Sequence, residues 1–438
     1  MGKAGIAKIS ACTGISIVVA NMIGSGAFTS LGFQVGELHH TLSILSLWIL
    51  GGVLALAGAF SYAEVGTAIK RSGGEYAFLS HIYHPLVGYL SGWISLTVGF
   101  AAPVALSTLA FMEYLPVKVA HPAPAGILLI AALTLVHSYS LRSSARFQNV
   151  STLLKVLLIV ALIAAGLVVP QAPDSALSFH ASYLSEITSA AFAVSLIYVS
   201  YSYSGWNAAA YITEEFRNPV RALPVALIGG TLIVTLLYTL LQYVFLKHVS
   251  PAGLTGAINV GTPAVEHILG ADPAKLMGAA ISLLLISGIS AMTWVGPRVT
   301  AGIAREHYLW RRFTVNDRGI PVKALWLQFA ISALLLLTGT FEQIMVYCGI
   351  LLTLSTLLVV AGVFILRRRQ QREADYKSPL FPLFQIFFIG VSLWMIVFAL
   401  IHNPYETLIG LSNLVVGVIT YFTSRRMQPP TKVQNTHL

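Results

Sequence analysis

Apolar residues run along this chain in long blocks, and the charged positions fall between the blocks rather than along one face of them. A block of about 20 apolar residues crosses a bilayer as a helix, so the pattern predicts an all-α polytopic membrane protein. The blocks predict twelve transmembrane helices, at about 9–35, 42–68, 78–115, 126–140, 150–169, 187–212, 224–246, 276–304, 324–338 and 344–366, with the last two between about 381 and 423. The third is long enough to cross with strong tilt. Pro116, His121, Pro122 and Pro124 mark a turn after it. Residues 250–275 form a connection of moderate length, suited to a lid or to short half-buried helices.

Two of the blocks are interrupted at mid-span. In the first, Asn21-Met22-Ile23-Gly24-Ser25-Gly26-Ala27-Phe28 sets two glycines around a serine, which weakens the helix there. Unpaired backbone at membrane depth is tolerated where it is buried in protein or lines a polar cavity, so a break argues for a binding site. A seam of small residues between close helices is the competing account, and this motif alone does not choose. The sixth block is interrupted by Tyr201-Ser202-Tyr203-Ser204-Gly205-Trp206-Asn207. Interrupted spans at matching positions of two halves point to a secondary transporter of inverted repeats, with substrate bound at the midplane. The repeat is read from position and hydropathy, not from residue identity. It predicts one transporter domain over 1–438, with repeats at about 9–170 and 187–366, spans 1 and 6 discontinuous, and two further spans at 381–423.

Composition agrees. Of 438 residues 56% are hydrophobic and 10% charged, with a mean hydropathy of +0.78, more apolar than a soluble core of this size requires. The first block continues into the glycine break with no small-residue cleavage site, so no signal peptide is expected. Cys12 and Cys348 lie in apolar blocks with no neighbouring ligand and read as packing residues. The formal charge of +10 is explained by loop placement, not by nucleic acid. With the amino terminus inside, Lys118, Lys247 and Lys275 stand outside, Lys155 lies within a span, and the other 22 of the 26 Lys and Arg fall at or near the inner side. The inner set includes Lys3, Lys8, Lys70, Arg71, Arg142, Arg146, Arg311, Arg312, Arg372 and Lys432, and the run Arg367 to Arg369 needs no role beyond topology. Both termini are expected in the cytoplasm of a cell (plasma or inner) membrane.

Family-bearing residues appear together at this point. Ser61-Tyr62-Ala63-Glu64-Val65-Gly66, Ser72-Gly73-Gly74-Glu75-Tyr76, Gly92-Trp93, Ser204-Gly205-Trp206-Asn207, and Glu214-Glu215 with Asn218-Pro219, joined to the break in span 1, resemble the amino acid-polyamine-organocation (APC) superfamily, most closely its L-type amino acid transporter (LAT) branch. The resemblance covers all twelve spans in order. It implies a fold like that of the sodium-coupled leucine transporters, five plus five inverted helices and two more, acting on a small-molecule substrate without a cofactor or metal.

An amino acid presents a carboxylate and an ammonium, and each must be matched in a low-dielectric site. The N–H groups of Ser25 and Gly26 suit the carboxylate, and the carbonyls of Met22, Tyr201 and Ser204 suit the ammonium. The resemblance makes Met22, Ile23, Gly24, Ser25, Gly26, Tyr201, Ser204, Gly205, Trp206 and Asn207 the candidate substrate-binding residues, with Tyr201 an aromatic that closes over the substrate. Glu64, Glu113, Glu214 and Glu215 lie near helix ends, so no acid is expected at the midplane and a neutral amino acid is expected as substrate. Asn207 stands where the family's arginine and polyamine exchangers tend to carry an acid. Met292, Thr293 and Trp294 in span 8 are candidates for sensing side-chain size.

Lys155 is an intramembrane charge, a functional candidate by default, although snorkelling to the inner interface is the plainer account. By resemblance, sodium-independent members place a lysine here against the span 1 break and a span 8 hydroxyl, Ser287 or Ser290 in this chain. That implies sodium-independent exchange, with proton symport as the alternative and an amino acid sensor as a more remote one. No enzyme is expected: His137 and His402 stand alone, with no Ser-His, Cys-His or metal-spaced cluster. Animal members of the branch join a glycoprotein through a cysteine between spans 3 and 4. Residues 116–124 hold none, so no obligate ancillary subunit is expected.

Overall fold

The computed structural model describes residues 9–139, 144–177, 179, 183–369 and 375–427, with backbone only over 144–149. Lys3, Lys8, Arg142, Arg372 and Lys432, and the side chain of Arg146, lie outside the described residues. Within them every regular element is helical, and the single β-type pairing is an isolated bridge between Ile9 and Phe216. Among the described residues ten helices are long and apolar enough to cross a membrane, and the 17-residue Val322–Thr338 is a shorter apolar helix beside them.

The helices used below are α1 (Ala11–Met22), α2 (Gly26–Thr29), α3 (Thr41–Ile69), α4 (Gly74–Ile82), α5 (Pro85–Ile94), α6 (Ala101–Tyr114), α7 (Pro122–Tyr139), α8 (Ser144–Val168), α9 (Ala190–Tyr203), α10 (Pro219–His248), α11 (Gly261–Leu269), α12 (Ala271–Glu306), α13 (Val322–Thr338), α14 (Phe341–Arg369), α15 (Leu383–His402) and α16 (Pro404–Met427). Both interruptions are present. The first block stops at Met22 and resumes at Gly26, and the sixth stops at Tyr203 and continues as a 3-10 helix over Ala208–Glu215. Gly205 turns that second corner with φ +100, a conformation open to glycine at little cost.

The third span differs from expectation at its start. Residues 78–82 belong to α4, and the span begins at Pro85, with the His84 imidazole accepting from the Leu86 N–H. Tyr83 leaves the helical region at φ −110, ψ −84, and proline at the first position of a new helix forfeits no hydrogen bond there. Further along, the span passes through a π-helical turn at Ser95–Gly99. Such turns recur at functional sites. The connection at 250–275 holds α11 and the short helix Pro251–Leu254, as expected of it.

Charge separates the two ends of the bundle. At one end Arg71 pairs with Glu306 at 3.5 Å, Lys70 pairs with Asp375, and Arg369 donates to the Ile82 carbonyl at 2.8 Å. At the other, Lys247 donates to the carbonyls of Gly166, Leu167 and Val169 at 2.7 to 3.0 Å, closing the last turn of α8. A cation set against the sequence's charge bias is thereby given a local role as a C-terminal cap.

Candidate functional site

The two interruptions open into one cavity of about 300 Å³, at the lower end of the range of small-molecule sites, about 300–1,000 Å³. Its wall contains every residue of the expected substrate set: Met22, Ile23, Gly24, Ser25, Gly26, Tyr201, Ser204, Gly205, Trp206 and Asn207. Gly24 and Gly26 do different work. A Cβ on Gly24 would meet nothing nearer than the Met22 carbonyl at 4.0 Å, whereas one on Gly26 would lie 2.6 to 2.8 Å from Ser202 on α9. The break and the small-residue seam are both real, on neighbouring glycines.

Backbone polarity at the breaks is partly spent. The Met22 carbonyl accepts from Gly24 N–H at 2.8 Å and from the Tyr238 hydroxyl at 2.6 Å, and the Tyr201 carbonyl accepts from Ser204 N–H at 2.9 Å. The Met22 carbonyl has both lone pairs engaged, while the Tyr201 carbonyl keeps one beyond the tight turn that closes its half-helix. The Ser25 carbonyl accepts from Phe28 N–H at 2.9 Å and from Thr29 Oγ1 at 3.0 Å. The N–H groups of Ser25 and Gly26, at the start of α2, and the Ser204 carbonyl have no protein partner among the described residues.

Lys155 is buried, and its Nζ donates to the Ile23 carbonyl at 3.3 Å, in the break itself. It lines the main cavity and a small adjoining one with Ser25, Ser107 and Gly288. Snorkelling does not describe this side chain. Of the two hydroxyls expected on α12, Ser290 bonds the His137 imidazole at 2.9 Å, so His137 does not stand alone, and Gly288 of the same helix lies beside the ammonium. Ser287 is fully buried on the same helix. Of the three size-sensing candidates only Met292 reaches the cavity, in the helical series Gly288, Ala291, Met292 and Val295. Thr293 and Trp294 lie off that face; Trp294 carries the Arg298 guanidinium 3.7 Å over its ring.

Glu75 overturns the expectation that no acid stands in the site. It is buried in the cavity wall, and its carboxylate accepts from Tyr62 Oη at 2.9 Å, Asn207 Nδ2 at 2.5 Å and the Tyr211 hydroxyl. Outside the spans, on α4, it is held above the ordinary carboxylate range by burial, against which the hydrogen bonds from Tyr211, Tyr62 and Asn207 act. Also unforeseen are Ser95, Gly99, Phe100 and Ser107 of the third span and Leu352 and Thr353 of α14. Ser107 reaches Ser25 at 3.4 Å between hydroxyls. The proline Pro103, inside that apolar run, was the available signal for an irregular wall.

The chain matches the family model described as amino acid permease over residues 9–422. It is similar to b(0,+)-type amino acid transporter 1 of Rattus norvegicus, 30% identical over 430 residues, covering 95% of this chain and 87% of the relative. It is 29% identical to large neutral amino acids transporter small subunit 2 of Homo sapiens over 446 residues, covering 96% and 80%. Asc-type amino acid transporter 1 of Mus musculus is 29% identical over 443 residues, covering 96% and 81%. A match over nearly the whole chain, on a bundle whose two broken helices share one cavity, makes this protein a member of the amino acid permease family, within the APC superfamily and its LAT branch.

Proposed function

We propose that the protein exchanges neutral L-amino acids across a cell membrane by alternating access, without sodium and without catalysing a reaction. The observation that carries the proposal is the buried Lys155 ammonium on the Ile23 carbonyl, at the break that faces the cavity. A fixed cation there does the work of a bound metal cation: it holds the broken helix and adds positive potential near the unpaired N–H groups of Ser25 and Gly26, where a substrate carboxylate would sit. The ammonium would take the Ser204 carbonyl. Neutral substrates are favoured because the one acid in the wall has its oxygens occupied by Tyr62, Asn207 and Tyr211. The names of the relatives, all amino acid transporters, support the class of substrate.

The arrangement proposed is twelve spans with both termini cytoplasmic, counting α9 with its continuation and α13 beside the ten long helices, in two inverted repeats at about 9–170 and 187–366 and two helices beyond. An empty carrier that keeps its cation should return poorly, which gives exchange. Proton symport is the second reading, with Glu75, an acid in the cavity wall held above the ordinary carboxylate range by burial, as its candidate proton carrier.

The test is uptake of labelled neutral amino acids into proteoliposomes, empty or preloaded, with and without sodium and a proton gradient. Exchange requires preloading to accelerate uptake, with sodium without effect. Equal uptake into empty vesicles overturns it, and stimulation by an inward proton gradient selects symport. Lys155→Ala should slow exchange more than it weakens equilibrium binding, since its contact is with the helix and not the substrate.

A further inference from the structure

Glu75 does more than line the cavity. Its three hydrogen-bond donors come from two stretches far apart in sequence, Tyr62 on α3 and Asn207 and Tyr211 in the segment that follows the break in α9. All three are neutral, and among the described residues no lysine, arginine or histidine pairs with this carboxylate. The same surfaces are joined again beside it. Gly73 N–H donates to the Tyr211 carbonyl at 3.1 Å, Glu214 N–H donates to Ser72 Oγ at 3.0 Å, and the Tyr62 ring meets Trp206 edge-on at 4.7 Å.

The turn that carries Glu75 is built for this approach. Gly73 and Gly74 have φ +119 and +57, and a Cβ on Gly74 would lie 2.6 Å from the Tyr211 ring. Two side-chain-free residues bring the backbone against the end of the sixth span and deliver the carboxylate beneath Asn207. The end of the bundle is the one that carries Lys70 and Arg71. A carboxylate accepting three hydrogen bonds holds its donors more firmly than neutral pairs would.

We propose that Glu75 is a positioning residue for transport: a clasp that ties residues 207–211 to the turn at 72–75, presents Asn207 to the substrate, and closes the cavity on the cytoplasmic side. Transport then requires the clasp to open once in each cycle. The proposal rests on the transport reading for its substrate arm, but the state of the clasp can be read without any substrate.

The experiment places a single cysteine at Ile17, a cavity-lining residue on the inner half of α1, in a Cys12→Ser background, leaving the buried Cys348 in place. Inside-out vesicles are treated with a membrane-impermeant maleimide at one pH, so that thiol chemistry cancels between variants. Glu75→Ala should raise the labelling rate at least about tenfold, the shift expected when a charge-assisted hydrogen bond no longer favours closure. Glu75→Gln keeps an acceptor for Tyr62 and Asn207 and offers its amide N–H to the Tyr211 oxygen, and should stay within about threefold of wild type. In exchange assays Glu75→Ala should raise half-saturation at the outer face relative to the cytoplasmic face, because an open clasp populates the state that binds from the cytoplasm.

Unchanged labelling in Glu75→Ala overturns the clasp, as does an equal rise in half-saturation at both faces, which is what a loosened fold gives. If Glu75→Ala does not fold, Tyr211→Phe removes one donor at almost constant volume. It should raise labelling to a smaller degree, and no rise overturns the proposal. A wild-type protein that transports no amino acid would count against the proposed function, while the labelling arm would still decide the clasp.

Discussion

At the residue scale the two glycines of the first break separate binding from packing. A side chain on Gly24 would enter open space in the cavity, beside the unpaired N–H groups, while one on Gly26 would press on Ser202 and push α2 from α9. Gly24→Val is therefore expected to keep the wild-type melting temperature and to weaken amino acid binding at least about tenfold, by blocking one charge-assisted hydrogen bond to the substrate. Gly26→Val should lower both. Thermal unfolding and equilibrium binding on the same purified samples check this, and wild-type affinity in folded Gly24→Val would remove the break from the site. The residues of both breaks were legible in the sequence because two spans are interrupted at matching positions of the two halves, which a packing seam alone does not require. Glu75 was not: it stood in plain view within Ser72-Gly73-Gly74-Glu75-Tyr76, but its donors Asn207 and Tyr211 lie more than a hundred positions away and only the fold assembles them. Thr293 and Trp294 failed for a simpler reason, since one residue of error in helical phase turns a side chain by about 100°.

At the element scale the long helices were predictable from hydropathy, and their joints were not. Glu64 was read as a residue near a helix end, and Arg367 as a topological charge. In the fold, Arg367 of α14 forks onto Glu64 of α3 at 2.7 and 2.8 Å, the Ser378 N–H adds a third bond at 2.7 Å, and the guanidinium lies 3.8 Å over the Phe381 ring. Gln385 of α15 ties in Ser61 at 3.0 Å and Ser378 at 2.9 Å. The carboxylate thus joins α3 to α14 and to the turn at Ser378, to which Gln385 ties α15; it is 1% exposed, while the guanidinium side chain is 27% exposed. Bidentate pairing of this kind is specific to arginine. Arg367→Ala leaves a buried charge without its partner, a loss of about 3–5 kcal/mol for a fully buried pair, and water at the open edge of this guanidinium places the expected cost near about 3 kcal/mol. Arg367→Ala with Glu64→Gln should recover much of it, because the stranded charge is gone. The double-mutant cycle, read by thermal unfolding in detergent, checks the coupling; additive losses would show that the pair does not act as a unit.

At the scale of the whole molecule, the pattern of the chain carried the class of fold and the family, while the cavity required coordinates, because its wall is drawn from ten α-helices and the turns between them. The same scale bears on assembly. Two features would be needed for a disulfide-linked partner on the outer side: a cysteine beyond the spans, and a thiol free to react. The sequence contains two cysteines. Cys12 is exposed on α1, near the end tied to residues 215–217 by the Ile9 hydrogen bonds, and Cys348 is fully buried on α14, its sulfur 3.9 Å from the Val98 carbonyl. Fully buried inside a span, Cys348 is out of reach of another chain's thiol. Neither stands between the third and fourth spans, where residues 115–121 connect α6 to α7. A single polypeptide is thus expected to suffice. Purified alone and reconstituted, it should accelerate uptake of labelled neutral amino acid into preloaded liposomes, and treatment with a reductant should leave the rate unchanged. Uptake that appears only when a second polypeptide is co-reconstituted, from a preparation of the single chain shown to bind substrate, would overturn that expectation and would direct attention to the exposed turn at Val117 as a noncovalent contact.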